Sequence, residues 1–225
     1  MIDSTIYTVH EGFIKLNPWV TQFTHEGHSY GGSYVPEDAR WDRFREHFPA
    51  PKYVLELGCL EGGYTKLLCQ SGYQVSAVDG RMSNLERAWF VKRTYQLDAP
   101  IYHVDVENDF PSGRWDVVFL VGLLYHVKHP LALLKKCATV SEHLFLWTHY
   151  CLSGEAHTEV DGVRGRTYKE DVDMPCAGLC PESFWPTLTG LQNLLNRAGY
   201  LVHTLDIENH VNGPAVTMKA SQRRD

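Results

Sequence analysis

Residues 53–64 read YVLELGCLEGGY, and this stretch decides how the rest of the chain is interpreted. Residues 53–57 are mostly apolar and predict a short buried strand that ends at Gly58. The glycines at 62 and 63 then open a predicted helix that runs to Gly72, a residue type suited to the left-handed position at a helix end. A strand that leads through a glycine-rich loop into a helix is the first unit of an alternating α/β fold.

The same alternation continues to the end of the chain. Apolar segments that predict further strands lie at 75–78, 101–104, 115–121, 144–147, 201–207 and 215–220. The segment 115–121 is apolar enough for a strand buried on both faces, and Asn212-Gly213 in the last loop is a hairpin signal. The predicted fold class is therefore α/β: a doubly wound, mostly parallel seven-stranded sheet with helices on both faces and a C-terminal antiparallel hairpin.

Two helix starts carry local signals. Residues 83–86 read Ser-Asn-Leu-Glu, a capping box in which the serine accepts from the amide three residues on and the glutamate reaches back, so a helix is predicted to open there. A second helix, with leucines on one face, is predicted to stop at Gly199. Trp185 and Pro186 are predicted to open this helix and to fix its entry angle.

We interpret residues 1–49 as an N-terminal extension that ends in a helix over 36–47, and residues 50–225 as the main domain. The first 34 residues hold six aromatic residues and only four charged ones, which indicates a segment packed on the body rather than a disordered tail. This segment is a candidate lid over a ligand, and its aromatic surface leaves open a homodimer. The aromatic residues are Tyr7, Phe13, Trp19, Phe23, Tyr30 and Tyr34.

Residues 150–183 show no periodicity, and a loop of that length inside a domain indicates function. We treat about 150–185 as a substrate-loop insertion. Within 151–185, seven acidic residues stand against three basic ones. Such a loop would suit one wall of a pocket for a cationic or aromatic small molecule, although an exposed charged loop explains the composition equally well.

Length and composition exclude several classes of protein. The chain has 225 residues, a net charge of −6 and 44% hydrophobic residues, as in an ordinary single domain. A large nucleic-acid footprint would bring a basic excess, so we do not expect a nucleic-acid partner. The chain lacks both an apolar run of the ~20 residues that span a membrane and the layout of a signal peptide, so we expect a cytoplasmic protein without membrane contact.

The cysteines and histidines do not favour a metal site. In a cytoplasmic protein the six cysteines are expected to stay reduced. Cys176 and Cys180 lack zinc-knuckle spacing. The histidine pair at 25 and 28 and the pair at 149 and 157 are better explained as loop residues.

The loop at residues 58–63, here called the glycine loop, is preceded by an acidic residue. Dinucleotide sites use Gly-x-Gly-x-x-Gly, but here glycines stand at 58, 62 and 63, with Glu56 two residues before the first. A carboxylate there would repel a diphosphate and attract a cationic amine, which argues against a nicotinamide-dependent oxidoreductase. Glu56-x-Gly58-x-x-x-Gly62 resembles the first motif of class I S-adenosylmethionine-dependent methyltransferases, a Rossmann-like family whose usual form is acid-x-Gly-x-Gly-x-Gly. Leu60 replaces the middle glycine.

The resemblance extends over roughly residues 50–220 and implies S-adenosylmethionine as the cofactor. Asp79 matches the acid that binds the ribose hydroxyls, and Asp105 the acid that takes the adenine amino group. The segment 120–127 matches the stretch along the methionine part, and the closing hairpin matches the reversed seventh strand of that fold. The implied cofactor-binding residues are Glu56, Gly58, Cys59, Gly62, Asp79, Gly80, Asp105, Val106, Val121 and Gly122.

A methyl group on a sulfonium is already activated, so an acceptor needs chiefly alignment and a dry site. An alcohol, phenol or protonated amine needs a base as well. His126, just past the strand at 115–121, is the first candidate, although it would also suit a hydrogen-bonded turn. His149 is a second base candidate, and Tyr125 is a candidate for positioning the substrate. No metal is expected.

The leading hypothesis is transfer of a methyl group to an oxygen or nitrogen of a small-molecule metabolite. The pattern Gly-Leu-Leu-Tyr-His-x-x-x-Pro at 122–130 is similar to a segment of tRNA wobble-uridine carboxymethyltransferases, which makes an RNA-modifying methyltransferase the alternative. The basic N-terminal extension expected of a tRNA-modifying enzyme is missing. A protein that binds S-adenosylmethionine without catalysis is a third interpretation, and the acceptor itself is not legible in the sequence.

Overall fold

The computed structural model describes residues 8–223, so Tyr7 of the predicted aromatic segment lies outside the described residues. In chain order the elements are α1 (Val9–Lys15), β1 (Gln22–His25), β2 (His28–Gly31), α2 (Ala39–His47), β3 (Tyr53–Leu57), α3 (Gly63–Gln70), β4 (Gln74–Asp79), α4 (Met82–Thr94), β5 (Ile101–His103), β6 (Trp115–Val121), α5 (Pro130–Val140), β7 (Ser141–His149), β8 (Thr158–Val160), β9 (Val163–Lys169), β10 (Glu182–Pro186), α6 (Leu188–Arg197), β11 (Tyr200–His210) and β12 (Gly213–Gln222). Between residues 8 and 223, none of the helices has the length and apolar character needed to cross a membrane.

The predicted central sheet is confirmed. Its seven strands run in the order β11-β12-β7-β6-β3-β4-β5. The pairs among β3 to β7 are parallel, and β12 is antiparallel to both of its neighbours, β7 and β11. The strand order reverses beside β3, which has β4 on one side and β6 on the other. In an open α/β sheet the crevice at the carboxyl ends of the strands beside such a reversal is where ligands bind.

Each face of the sheet is covered by helices. Alternate residues of β6 point to opposite faces, so Val117 and Phe119 join a buried apolar cluster with α2, α3 and α4, while Val118 and Leu120 join one with α5 and α6. The ring of Phe44 on α2 meets that of Phe119 edge to face, with the ring centroids 4.9 Å apart. The predicted helix at the end of the N-terminal extension therefore packs directly on the sheet.

The rest of the N-terminal extension packs on α4. The ring of Phe13 stacks on that of Tyr30, and its edge-to-face contact with Phe90 joins this cluster to the body. A buried carboxylate also holds the segment: Glu61, in the glycine loop, accepts hydrogen bonds from the backbone N–H of Val20 at 2.9 Å and of Thr21 at 2.7 Å. The extension is thus tied to the loop between β3 and α3.

The insertion differs from the predicted structureless loop. β8, β9 and β10 form a three-stranded antiparallel sheet of their own. β8 has only three residues, and β9 buries only Val163 and Gly165, so alternation of apolar residues is too weak to reveal these two strands. Asp161-Gly162 forms the turn between β8 and β9, with both residues at positive φ, and this pair was a readable hairpin signal.

Two predicted helix starts are wrong. α4 begins at Met82, with Arg81 as its N-cap residue, so Ser83 lies inside the helix and forms no capping box. The carboxylate of Asp79 instead accepts the N–H of the N-cap residue Arg81 at 2.8 Å. Trp185 and Pro186 belong to β10, and Thr187 caps α6 instead.

Candidate functional site

A cavity of about 490 Å³ lies at the carboxyl ends of β3, β4 and β6. This volume is in the range of small-molecule sites. The N-terminal extension contributes Thr21 and Tyr34 to its wall, and the insertion contributes residues 175–179. We refer to this space as the rim cavity.

Ten of the thirteen predicted site residues line the rim cavity: Gly58, Cys59, Asp79, Gly80, Asp105, Val106, Val121, Gly122, Tyr125 and His126. The structure does not place Glu56, Gly62 or His149 on its wall. Residues that sequence reasoning missed include Tyr34, Arg40 and Arg81, which also line it.

The glycine loop is shaped by backbone contacts. Gly58 has φ +76, and a Cβ placed there would come within 3.2 Å of Leu123, so glycine allows the loop and the end of β6 to approach closely. Leu60, which departs from the family pattern, has φ +51, and its N–H donates to Asp79 Oδ2 at 2.9 Å. The carboxylate at the end of β4 therefore stabilises a left-handed conformation that a glycine would adopt unaided.

Glu56 lies behind this loop. Its side chain is buried, and Oε2 accepts a hydrogen bond from Thr65 Oγ1 at 2.6 Å. Burial raises the pKa of Glu56 to about 8. The acid that the sequence places next to the cofactor thus supports the loop from inside.

Two carboxylates stand at the ends of neighbouring strands. Asp79 is almost fully buried, and besides the Leu60 and Arg81 amides it accepts from Asn84 Nδ2 at 3.2 Å. Burial raises the pKa of Asp79, and these hydrogen bonds oppose the shift. Asp105, after β5, accepts from the Glu107 N–H at 3.0 Å and is only half-buried.

Residues 170–180 form a roof over this end of the cavity. The guanidinium of Arg81 donates to three roof carbonyls: Val172 O at 2.9 Å, Ala177 O at 3.0 Å and Gly178 O at 2.6 Å. Gly80 allows the roof to come close, because a Cβ there would lie 2.5 Å from Leu179. One arginine next to Asp79 therefore connects the end of β4 to the insertion.

His126 is paired with a carboxylate from the roof. It ends a short 3-10 helix after β6, and its Nδ1 lies 2.8 Å from Glu170 Oε1. Glu170 also accepts from Ser183 Oγ at 2.8 Å and from the Gly178 N–H at 3.1 Å. Burial acts to raise the pKa of Glu170, but the hydrogen bond and charge of His126 outweigh it and the pKa is lowered. An ionised Glu170 fixes the proton on Nδ1 and leaves Nε2 as the basic nitrogen.

Tyr125 and His149 belong to one aromatic group. The ring centroid of Tyr125 lies 4.7 Å from that of His149, and His149 stacks on Trp185 at 4.9 Å with the planes 8° apart. His149 is buried, and its Nδ1 lies 3.1 Å from Pro214 O. Burial lowers the pKa of His149 to about 4 and raises that of Tyr125 well above its usual value, so both side chains are neutral near pH 7. In this arrangement His149 supports Tyr125 and does not reach the cavity.

The chemistry of the site follows from this arrangement. His126 places an imidazole that can accept a proton on the cavity wall, and Tyr125 beside it is a neutral phenol that can donate a hydrogen bond. Within residues 8–223, no group of three or more His, Cys, Asp or Glu side chains could hold a metal ion. Glu170 carried no local signal in the sequence, because it is 44 residues from His126 along the chain.

Comparison with known proteins agrees with this geometry. A family model described as a methyltransferase domain matches residues 34–205. Among solved structures, the N-terminal domain of EvdMO1, crystallised with S-adenosylhomocysteine (SAH) and D-fucose, is 32% identical and superposes with a TM-score of 0.82, and the alignment covers 96% of each chain.

Curated relatives match shorter stretches. A ubiquinone biosynthesis O-methyltransferase of Xanthomonas campestris is 28% identical over 89 residues, which is 39% of this chain and 37% of the relative. A tRNA U34 carboxymethyltransferase of Aliarcobacter butzleri is 26% identical over 153 residues, which is 66% of this chain and 47% of the relative. The chain thus spans less than half the length of these relatives.

The buried Glu56 predicts a pH-dependent loss of stability. Folding raises its pKa from 4.5 to about 8, so the folded state favours the protonated carboxyl. Its stabilising contribution is complete below pH 4.5 and is lost as the pH rises to about 8. Glu56→Gln keeps an acceptor for Thr65 and cannot ionise. Urea unfolding should show the free energy of unfolding of the wild type falling relative to that of Glu56→Gln across this interval.

The matched control is Glu159→Gln, which changes an exposed glutamate. Its free energy of unfolding should follow that of the wild type at every pH. Parallel curves for the wild type and Glu56→Gln would contradict the burial of an ionisable Glu56.

We expect the contacts of Arg81 to keep the backbone of the roof ordered. Arg81→Gln removes most of the donors that hold the carbonyls of Val172, Ala177 and Gly178, while the backbone N–H of residue 81 can still bind Asp79. Hydrogen–deuterium exchange should show at least about tenfold faster exchange of the amides in 170–180 and little change in α4. Arg93→Gln, an exposed position on α4, is the control. Unchanged exchange in the roof would show that Arg81 does not hold it.

Proposed function

Because the chain belongs to the methyltransferase domain family and to the class I S-adenosylmethionine-dependent methyltransferases, we propose that it transfers a methyl group to an oxygen or nitrogen of a small-molecule metabolite. The acceptor atom that the site supports best is a hydroxyl oxygen. The observation that carries this proposal is the His126–Glu170 pair on the wall of the rim cavity.

The residues of the cavity fit S-adenosylmethionine. When bound, the cofactor supplies a methyl group on a sulfonium sulfur, which is already activated for transfer. Gly58 and Gly80 line the cavity and allow its wall to pack closely, because a Cβ at these positions would lie 3.2 Å from Leu123 and 2.5 Å from Leu179. We assign Asp79 to the ribose hydroxyls and Asp105, with Val106 beside it, to the adenine amino group.

The methionine part is assigned to the glycine loop and the end of β6. Cys59 contributes there with Gly58, and Val121 and Gly122 line the same part of the cavity. Glu56 and Gly62 stay predictions as cofactor contacts. Glu56 lies on the interior side of the loop and binds Thr65. Gly62 faces Ala88, which a Cβ at position 62 would approach to 3.5 Å.

His126 is assigned as the general base. An alcohol is a weak nucleophile until a base accepts its proton, whereas a neutral amine needs no base. Glu170 holds the imidazole so that Nε2 can accept the proton, and the negative charge of Glu170 stabilises the imidazolium that forms. Tyr125 is assigned to positioning the acceptor. A base held in this way would be unnecessary in a protein that only binds the cofactor.

Two observations support a small acceptor. The roof and the N-terminal extension narrow the access to the cavity, and the EvdMO1 domain, which matches over 96% of its length, was crystallised with a sugar. The likeness to a tRNA-modifying enzyme supports RNA less well. Both arginines on the cavity wall are already paired within the protein, and the net charge is −6, so phosphate groups would find few free cations.

Cofactor binding can be tested through the two strand-end acids. Asp105→Ala removes the proposed adenine acceptor, and Asp79→Asn weakens the proposed ribose contact. Calorimetric titration with SAH should give a Kd raised by about tenfold or more in each variant, because each loses a charge-assisted hydrogen bond. Asp98→Asn, an exposed substitution, should bind as the wild type does. Unchanged affinity in both site variants would refute the assignment.

Catalysis can be tested through the His126–Glu170 pair. His126→Gln should lower kcat by about 10²- to 10⁴-fold and abolish the rise of rate with pH that a general base gives. Glu170→Gln should have a smaller effect, and the SAH Kd should change little in either. The assay measures SAH release with a panel of hydroxyl, amine and RNA acceptors that includes D-fucose.

His157→Gln, at an exposed histidine, is the matched control and should retain wild-type kcat. Turnover with RNA alone would overturn the small-molecule proposal. A wild-type rate in His126→Gln would overturn the assignment of the base.

A further inference from the structure

The rim cavity has a second end, away from the proposed cofactor residues. Asp79 and Asp105 follow β4 and β5, whereas Arg40 lies over Trp147 of β7, with its guanidinium carbon 4.5 Å from the ring centroid. The strand order places β3 and β6 between β4 and β7. Arg40 therefore faces the part of the cavity that the cofactor residues leave to the acceptor.

Arg40 is held rigidly. Its Nε donates to Asp38 Oδ2 at 2.9 Å, and its Nη2 donates to Tyr34 Oη at 2.9 Å and pairs with Asp38. Only 13% of the Arg40 side chain is exposed. Tyr34 Oη in turn donates to Tyr64 Oη at 3.0 Å. These contacts fix the plane of the guanidinium.

This network does not use every N–H group of the Arg40 guanidinium. A guanidinium carries five N–H groups. Among residues 8–223, none of the hydrogen bonds of Arg40 uses Nη1, and Arg40 lines the cavity. A partly buried donor without an acceptor is costly, and an oxygen atom of a ligand would satisfy it.

The groups bound to Arg40 balance its charge: Asp38 neutralises Arg40, and burial raises the pKa of Tyr34 to about 12, so the phenol stays neutral. Arg81, the other arginine on the wall, is used by the roof carbonyls. A carboxylate or phosphate would gain little from Arg40, because Asp38 already neutralises this cation. An ammonium would be repelled by the N–H groups of Arg40. An uncharged oxygen suits the site best.

We propose that Arg40, fixed by Asp38 and Tyr34, recognises a second, non-reacting hydroxyl of the acceptor, so that the acceptor is an uncharged ring with at least two hydroxyl groups. This inference rests on the proposed function, since it concerns the substrate of the same site. Arg40 acts in specificity, and His126 acts on the reacting hydroxyl.

Sugars that share one ring configuration provide matched probes. D-Fucose and D-galactose are uncharged, D-galactosamine carries an ammonium, and D-galacturonic acid carries a carboxylate. We expect kcat/KM of the wild type to be at least tenfold higher for the uncharged sugars. Arg40→Gln should raise their KM at least tenfold, with kcat and the SAH Kd within about twofold of the wild type.

Deoxy derivatives separate recognition from structure. For the D-fucose derivative that lacks the recognised hydroxyl, Arg40→Gln should cause no further loss, because the partner of Arg40 is already gone. Arg40→Lys keeps the ion pair with Asp38 and should fold even if Arg40→Gln does not. It should show a KM between those of the wild type and Arg40→Gln. Arg45→Gln, at an exposed arginine of α2, is the control.

Binding gives a readout that does not depend on turnover. Saturation-transfer NMR of the same sugars with the SAH-bound protein should show binding of the uncharged sugars that Arg40→Gln weakens. If the sugars bind in this way but are not methylated, the proposed function is refuted and the proposed role of Arg40 is retained. Preference for a charged sugar, an equal loss with every deoxy derivative, or no binding of any uncharged sugar would each overturn the proposal.

Discussion

The carboxylate of Asp79 is the interaction on which the rest of the site depends. It accepts hydrogen bonds from the Leu60 N–H, which holds the glycine loop, and from the Arg81 N–H, which begins α4. Arg81 then holds the roof by three carbonyls, and the roof carries Glu170, the partner of His126. A single strand-end acid thus connects the glycine loop to His126, the proposed base. Burial raises the free energy of the ionised Asp79 carboxylate, and the hydrogen bonds that Asp79 accepts compensate this cost.

A second buried acid performs the corresponding role for the N-terminal extension. Glu61 accepts the backbone N–H groups of Val20 and Thr21, and Arg87 lies 3.9 Å away. Because Thr21 and Tyr34 line the cavity, this contact makes the extension a fixed wall of the site in the structure. The acids on either side of Gly58 therefore have different partners: Glu56, at the end of β3, binds Thr65 of α3, and Glu61, in the glycine loop, anchors the extension.

The elements that the sequence predicts well are those specified by neighbouring residues. The strands at 53–57 and 115–121 agree with β3 and β6 at both ends, because apolar runs bounded by glycine are local signals. The capping box at 83–86 failed because the helix begins one residue before Ser83, where Asp79, outside the helix, accepts the N–H of the N-cap residue Arg81. β8 and β9 escaped prediction because these strands bury few side chains, whereas β10 buries four of its five residues and the sequence predicts its last two as part of the following helix.

The residues of the site also fall into those that the sequence predicts and those that it does not. Asp79, Asp105 and the glycine loop follow strands that the pattern reveals, so their convergence at one edge of the sheet could be predicted. Glu170 and Arg40 reach the cavity through tertiary contacts: Glu170 lies 44 residues from His126, and Arg40 reaches it only because α2 packs on the sheet. No pattern of spacing in the sequence encodes such contacts, since the intervening chain can take many paths.

The two halves of the cavity therefore differ in origin as well as in chemistry. The half proposed for the cofactor is built from the ends of β3, β4, β5 and β6, whose positions the sheet hydrogen bonds fix, and the insertion covers it at Arg81. The half proposed for the acceptor is lined by other segments added to that sheet: the N-terminal extension, including α2, and the tip of the β11–β12 hairpin. Loops and added segments tolerate change that a parallel sheet does not. If the proposed assignments hold, substitutions at Tyr34 or Arg40 alter which acceptor is bound, while the loop, Asp79 and Asp105 keep the same cofactor site.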